Sequence, residues 1–157
     1  MKILTHEEET EALFFIDYVT KVAQDSTCGW SKCGSVIVKN DSIIGEGFNS
    51  PAGNESARCG VKKSSYDLKV TDKTCCVHAE QRAIMNALKK NYDEIKGSRL
   101  YFIRLDEEGN KTKAGDPYCT ICSKMALDVG VKEFVLWREE GVCVWDTKEY
   151  NDVSFNY

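Results

Sequence analysis

The chain has 157 residues, of which 42% are hydrophobic and 29% charged, a composition typical of one globular domain with its own core. The formal net charge of −4 disfavours a nucleic-acid partner, because such proteins usually carry a basic face. No apolar leader or membrane-length apolar run is visible, so we expect a cytoplasmic protein without a membrane partner. In that compartment the eight cysteines are expected to be free thiols, metal ligands or catalytic groups rather than disulfides.

The first half of the chain predicts a helix followed by a hairpin. Residues 7–24 carry apolar side chains at helical spacing, and Thr5 is a suitable N-cap. Residues 35–39 and 42–48 are rich in β-formers and flank Asn40-Asp41, which predicts a two-residue hairpin turn. Residues 49–76 show no clean period, and so long a connection in a small domain is expected to be a functional loop.

The second half alternates between helices and strands. Residues 78–90 and 120–129 have helical patterns, whereas 99–105 and 132–137 are strands, and the segment 106–117 is polar and turn-forming. The aromatic-rich tail from Gly141 has no clear assignment. The order of these elements predicts one α/β domain over residues 1–157, with a sheet covered on both faces.

Two short motifs carry the chemistry. The first is His78-Ala79-Glu80, and the second is Cys119-Thr120-Ile121-Cys122. Cys119 and Cys122 are three residues apart, so their thiolates lie on one face of a helix. Together with the His78 imidazole they form a suitable ligand set for a catalytic zinc ion with one open position. Glu80 is not needed as a ligand and would lie beside His78, facing the metal-bound water. Both motifs open predicted helices, whose N-terminal partial positive charge favours thiolates.

The cysteine pair has other readings when it is taken alone. A C-x-x-C sequence that opens a helix is also typical of thioredoxin-like redox proteins, and two core thiols are a further possibility. The upstream His-x-Glu favours zinc, because H-x-E followed by C-x-x-C is the zinc deaminase signature.

With these motifs, the chain resembles the cytidine and deoxycytidylate deaminase superfamily, and within it the deoxycytidylate deaminases. The resemblance covers roughly residues 7–137 and is carried by three stretches. These are GSVIVKNDSIIGEGFNS at 34–50, CCVHAEQRAIMNALKK at 75–90 and YCTICSKMALDVGVKEFVLW at 118–137.

The resemblance implies a fold, a site and a reaction. The fold would be a three-layer α/β/α sandwich around a five-stranded mixed sheet, and the protein would be a homo-oligomer. Zinc would bind His78, Cys119 and Cys122. Glu80 would shuttle protons while zinc hydroxide attacks C4 of a cytosine ring, Asn49 would contact the sugar, and the Ala79 N–H would contact the pyrimidine carbonyl.

Deoxycytidylate (dCMP) is the favoured substrate by this resemblance, and dUMP would be the product. Three departures bear on the substrate: Tyr118 stands where relatives have proline before the first cysteine, the connection 106–115 is longer than usual, and Arg82 replaces an asparagine. Some deoxycytidylate deaminases also carry a second, structural zinc, for which Cys28, Cys59 and either Cys75 or Cys76 are candidates. Arg58, Lys62 and Lys63 are candidates for a substrate phosphate.

Three other functions remain open from the residues. The same chemistry applies to a purine base or to an RNA or DNA base, although the net charge disfavours a polynucleotide. A non-catalytic, zinc-stabilised interaction protein would not need Glu80. A dithiol redox protein would hold no stoichiometric metal.

Overall fold

The computed structural model describes residues 1–54 and 76–156. In chain order the helices and strands are β1 (Lys2–Ile3), α1 (His6–Gln24), β2 (Cys33–Lys39), β3 (Ser42–Phe48), β4 (Ser50–Pro51), β5 (Cys76–Val77), α2 (Ala79–Lys90), β6 (Arg99–Leu105), β7 (Lys111–Thr112), α3 (Thr120–Asp128), β8 (Glu133–Arg138), β9 (Gly141–Asp146) and α4 (Thr147–Ser154).

The described residues form one main mixed sheet with the order β1-β9-β8-β6-β2-β3. β6 and β8 run parallel, whereas the other neighbouring pairs are antiparallel. The strands β2, β3, β6, β8 and β9, of six or seven residues each, form the predicted five-stranded sheet. The two-residue β1 and β7 extend it, and β4 pairs with β5 in a separate small sheet.

Helices cover both faces of this sheet, which confirms the three-layer α/β/α arrangement. On one face, Phe15, Ile16 and Val19 of α1 pack against β2, β6, β8 and β9. On the other face, apolar residues of α2, α3 and α4 pack against the opposite side of the same strands. The parallel pair β6 and β8 is joined across this second face by α3, as expected for a βαβ connection.

The predicted hairpin is confirmed at its turn. Asn40 and Asp41 have φ values of 48° and 59°, so both adopt the left-handed conformation of a type I′ turn. Asparagine and aspartate tolerate this conformation better than most residues. The turn therefore fixes the register of β2 against β3.

Two glycines of β3 allow α2 to lie close to the sheet. A Cβ atom on Gly47 would lie 2.5 Å from the Ala83 backbone nitrogen, and one on Gly45 would lie 2.6 Å from the Ala83 carbonyl oxygen. The absence of side chains at these positions brings the helix backbone onto the strand. This contact holds the N-terminal end of α2 at the edge of the sheet where the site lies.

The tail beyond Gly141, for which the sequence gives no clear assignment, forms β9 and α4. The polar segment 106–117 contains β7, which pairs with the end of β6. Of these additions, α4 packs on the face of the sheet that carries α2 and α3. Among the described helices, none is long and apolar enough to cross a membrane.

Candidate active site

His78 stands at the N-cap of α2, directly after β5. Its backbone is extended, with φ −68° and ψ 153°, so the side chain leaves the chain before the helix begins. The His78 backbone N–H donates a hydrogen bond of 3.0 Å to Oε1 of Gln81, which fixes the entry of the chain into the helix.

Cys119 occupies the same position in α3. Its sulfur accepts a hydrogen bond of 3.4 Å from the backbone N–H of Cys122, so the thiol itself caps the helix. Cys122 lies one turn later on the same face and is fully buried. The C-x-x-C spacing therefore brings both sulfurs to one side of the helix start, as predicted.

The two helix ends meet and bring the three predicted ligands together. Nδ1 of His78 lies 3.2 Å from Sγ of Cys122 and 3.3 Å from Sγ of Cys119, and the two sulfurs are 3.1 Å apart. Three atoms at these separations can all lie at about 2.0–2.3 Å from one ion, the usual Zn–N and Zn–S distances. The donor set and its spacing thus fit zinc.

The thiols and the imidazole are electrostatically coupled. A hydrogen bond from Cys122 lowers the pKa of the Cys119 thiol to about 4, and His78 contributes in the same direction. The pKa of Cys122 is raised, because its proton is held between the two sulfurs and the residue is buried. A divalent cation would favour two thiolates instead, since its charge opposes the cost of ionising the second sulfur.

The Glu80 carboxyl lies beside this cluster. Only 6% of Glu80 is exposed, although it belongs to the first turn of α2. Burial raises the pKa of Glu80 above its ordinary value, and the nearby Cys119 thiolate raises it further. A carboxyl of this kind exchanges protons more readily near neutral pH than an exposed glutamate does.

A cavity of about 760 Å³ opens onto Glu80 and Cys119. Its apolar lining includes Phe102, Leu136 and Tyr150, and much of its rim belongs to residues 105–116. The volume falls in the range typical of small-molecule sites.

Tyr150 of α4 is a cavity residue that the sequence reasoning missed. It stacks on Phe134 with ring centroids 4.1 Å apart, and burial raises the pKa of its hydroxyl. The only signal was the aromatic content of the tail, which does not indicate where a ring will lie.

Asn49 is buried, and three hydrogen bonds fix its side chain. Oδ1 accepts from the Ser26 hydroxyl at 2.7 Å and from the Cys33 N–H at 2.8 Å, and Nδ2 donates to the Ser31 carbonyl at 2.7 Å. These partners assign the amide orientation, because a backbone N–H only donates and a carbonyl only accepts. Asn49 therefore holds the segment 26–33 to the end of β3, and one Nδ2 hydrogen is left over by these three contacts.

Ala79 and Arg82 both belong to the first turn of α2. Ala79 is fully buried, and its N–H is one of those that a helix leaves without an intrahelical acceptor. Nη2 of Arg82 donates to the carbonyls of Ser50 and Pro51 at 3.3 and 3.1 Å. Arg82, which stands where relatives have an asparagine, thus connects α2 to β4 through hydrogen bonds.

The second-zinc hypothesis involves cysteines that lie partly outside the described residues. Cys59 and Cys75 fall there, as do Arg58, Lys62 and Lys63. Cys28 and Cys76 are both half-buried. Within residues 1–54 and 76–156, the one cluster with metal-binding spacing is His78 with Cys119 and Cys122.

The chain is similar in sequence to known deaminases. Residues 9–138 match the profile of the cytidine and deoxycytidylate deaminase zinc-binding region. A deoxycytidylate deaminase of Mycobacterium phage D29 is 28% identical over 134 residues, which cover 80% of this chain and 93% of that protein.

Solved structures of deaminases are also similar to this chain. The dCMP deaminase of cyanophage S-TIM5, in complex with dCMP and dUMP, is 28% identical with a TM-score of 0.58, and the match covers 83% of this chain and 82% of that one. A cytidine deaminase from Burkholderia pseudomallei is 19% identical with a TM-score of 0.56, over 94% of this chain and 96% of that one, and shares the fold. The chain belongs to the cytidine and deoxycytidylate deaminase zinc-binding family and is a hydrolase of the deaminase type.

Proposed function

We propose that this protein is a zinc-dependent hydrolase that converts dCMP to dUMP. The observation that carries the proposal is the convergence of one imidazole nitrogen and two thiols within 3.1–3.3 Å of one another, with the buried Glu80 carboxyl on the wall of the same cavity. A structural zinc site has no need of a buried carboxylate beside it. A dithiol redox pair would not account for the imidazole in contact with both sulfurs.

His78, Cys119 and Cys122 would hold the zinc ion. In a site of this type zinc acts as a Lewis acid that lets water lose a proton near neutral pH. The positive ends of α2 and α3 both point at the cluster and favour the two thiolates.

Glu80 would carry the protons of the reaction. Its carboxylate takes a proton from the attacking water and delivers it to N3 of the cytosine ring, which makes C4 more electrophilic. After the water oxygen has bonded to C4, Glu80 takes the second proton from that oxygen and delivers it to the amino group. The C4–N bond then breaks, ammonia leaves and C4 becomes a carbonyl carbon. The raised pKa of the buried carboxyl suits a group that must both accept and release a proton.

Two further contacts would orient the pyrimidine and the sugar. The Ala79 N–H, at the start of α2, suits a pyrimidine carbonyl. The remaining Nδ2 hydrogen of Asn49 suits a sugar hydroxyl, whereas its Oδ1 already accepts two hydrogen bonds within the protein. Asn49 would thus act as a donor to the substrate.

The proposed substrate is a free nucleotide. The similarity to two phage enzymes named for dCMP supports this choice, as does a cavity larger than a pyrimidine base requires. The net charge of −4 disfavours a polynucleotide. Homo-oligomerisation, which the family resemblance implies, remains part of the proposal.

A substrate panel tests the proposal. Ammonia release is measured with zinc-loaded protein and dCMP, deoxycytidine, cytidine, cytosine, guanine and a cytosine-containing oligonucleotide. The highest kcat/KM is expected for dCMP. Turnover of guanine or the oligonucleotide alone would move the substrate to another class. If zinc-loaded protein releases ammonia from none of these compounds, the proposal is wrong and a non-catalytic zinc protein is the remaining interpretation.

A further inference from the structure

Arg104 is a basic side chain on the cavity wall to which the proposed chemistry assigns no role. It is the sixth of the seven residues of β6 and lines the cavity together with Phe102, which lies on the same face of the strand. Its backbone is fixed by pairing with Cys33 of β2 and Thr112 of β7. The guanidinium group therefore extends from a rigid strand.

Other basic side chains near the cavity are already engaged. Arg138 forms an ion pair of 2.8 Å with Asp116, while Lys113 donates to the Arg138 carbonyl and lies 3.5 Å from the ring centre of Trp137. In the part of the chain that the structure describes, the Arg104 side chain makes no ion pair and no hydrogen bond. A guanidinium group in a cavity is thus available to a ligand.

The neighbouring groups do not compete strongly for Arg104. Asp106 also lines the cavity, but its Oδ1 accepts the Asn110 N–H at 2.7 Å and closes the turn after β6. Glu107 is exposed to solvent at the rim. Burial raises the pKa of the Cys33 thiol to about 11, so this group stays neutral beside Arg104.

We propose that Arg104 binds the 5′-phosphate of the substrate and makes the site prefer a nucleoside monophosphate to a nucleoside. This inference rests on the proposed function, because it places the cytosine ring at the metal cluster and the rest of the nucleotide along β6. A guanidinium group matches phosphate with two parallel hydrogen bonds, which a lysine ammonium does not reproduce. The cavity of about 760 Å³ has room for sugar and phosphate besides the base.

The kinetic test compares dCMP with deoxycytidine in the wild type, Arg104→Gln and Arg104→Lys. A charge-assisted contact predicts that Arg104→Gln lowers kcat/KM for dCMP by about 10- to 100-fold and changes that for deoxycytidine by less than about threefold. The kcat/KM of Arg104→Lys for dCMP should lie between those of the wild type and Arg104→Gln, because lysine keeps the charge and loses the two parallel hydrogen bonds. Lys90→Gln is the matched control, since Lys90 is exposed at the far end of α2 from the site.

An equal loss for both substrates would overturn the proposal and make Arg104 a structural residue of β6. An unchanged ratio of the two kcat/KM values, with normal turnover of dCMP, would also overturn it while the proposed function stands.

A binding measurement separates the two proposals. Titration calorimetry with dUMP and deoxyuridine should show that the wild type prefers dUMP by about 10- to 100-fold and that Arg104→Gln loses this preference. That result in a protein without deaminase activity would support the phosphate contact and reject the proposed function. A wild type that does not prefer dUMP would reject the phosphate contact.

Discussion

Glu80 combines deep burial with a place on the cavity wall, so its role can be separated from metal binding. Glu80→Gln preserves the shape of the side chain but cannot move protons, and kcat should fall by roughly 10²- to 10⁴-fold. Zinc content, measured by metal analysis, should be unchanged, because the ligands are His78, Cys119 and Cys122 in our proposal. The exposed Glu139→Gln variant is the control.

Loss of zinc together with activity in Glu80→Gln would contradict the role of Glu80 as a group that does not bind metal. Full activity with zinc bound would contradict its role in proton transfer.

Asn49 illustrates how a residue predicted to contact substrate can also hold the protein together. Asn49→Ala leaves the Cys33 N–H and the Ser31 carbonyl without their partner, which should lower the free energy of unfolding by about 1–3 kcal/mol. Urea denaturation measures this change, with the exposed Asn110→Ala as control. Normal stability with a raised KM would instead show that the buried contacts contribute little.

At the scale of elements, the contact between β3 and α2 sets the position of the site. Gly47→Ala would place a Cβ atom 2.5 Å from the Ala83 nitrogen and 2.8 Å from the Ala79 carbonyl, both backbone atoms that cannot move aside separately. The helix must shift, so we expect a loss of about 1–3 kcal/mol in stability. Zinc affinity should also fall, because His78 begins this helix.

Thermal unfolding and zinc titration of Gly47→Ala test this contact. Gly115→Ala is the matched control, because no heavy atom lies within 4 Å of the added Cβ position. Equal behaviour of the two variants would show that α2 does not depend on the glycine for its position.

The elements differed in how well the sequence predicted them, and α4 shows why. Its buried residues, Thr147, Tyr150, Asn151 and Ser154, follow a helical period. Three of the four are polar, so a search for hydrophobic periodicity does not detect them. Asn151 and Ser154 contact Ser123 of α3 instead, and the hydrogen bond from Asn151 to Ser123 measures 2.8 Å. By contrast, the hairpin turn at Asn40 and Asp41 depends on local backbone conformation and was predicted correctly.

For the whole molecule, the proposed metal site of His78, Cys119 and Cys122 connects the starts of two helices that are distant in the chain. Removal of zinc with a chelator should lower Tm by about 5–10 °C, if ligand at roughly 100 times its Kd contributes about 2.7 kcal/mol. One additional thiol should become reactive, because Cys119 loses its ligand bond and has a lowered pKa, whereas Cys122 stays buried with a raised pKa. Differential scanning calorimetry and thiol titration measure both effects.

The double variant Cys119→Ser and Cys122→Ser controls for other effects of the chelator, and its Tm should not respond. A wild-type Tm that does not change on complete removal of zinc would contradict a stabilising metal in this cluster.

The sequence by itself determined the types of the proposed ligands, the position of Glu80 two residues after His78, the spacing of Cys119 and Cys122, and four of the five long strands. These features depend on neighbours within one or two turns, so local patterns carry them. Tertiary structure decided that His78 meets Cys119, which is 41 residues away, and that Arg104 and Tyr150 share one cavity. The physical reason is that the cavity wall comes from separate segments, and only the order of the strands and the packing of the helices bring these segments together.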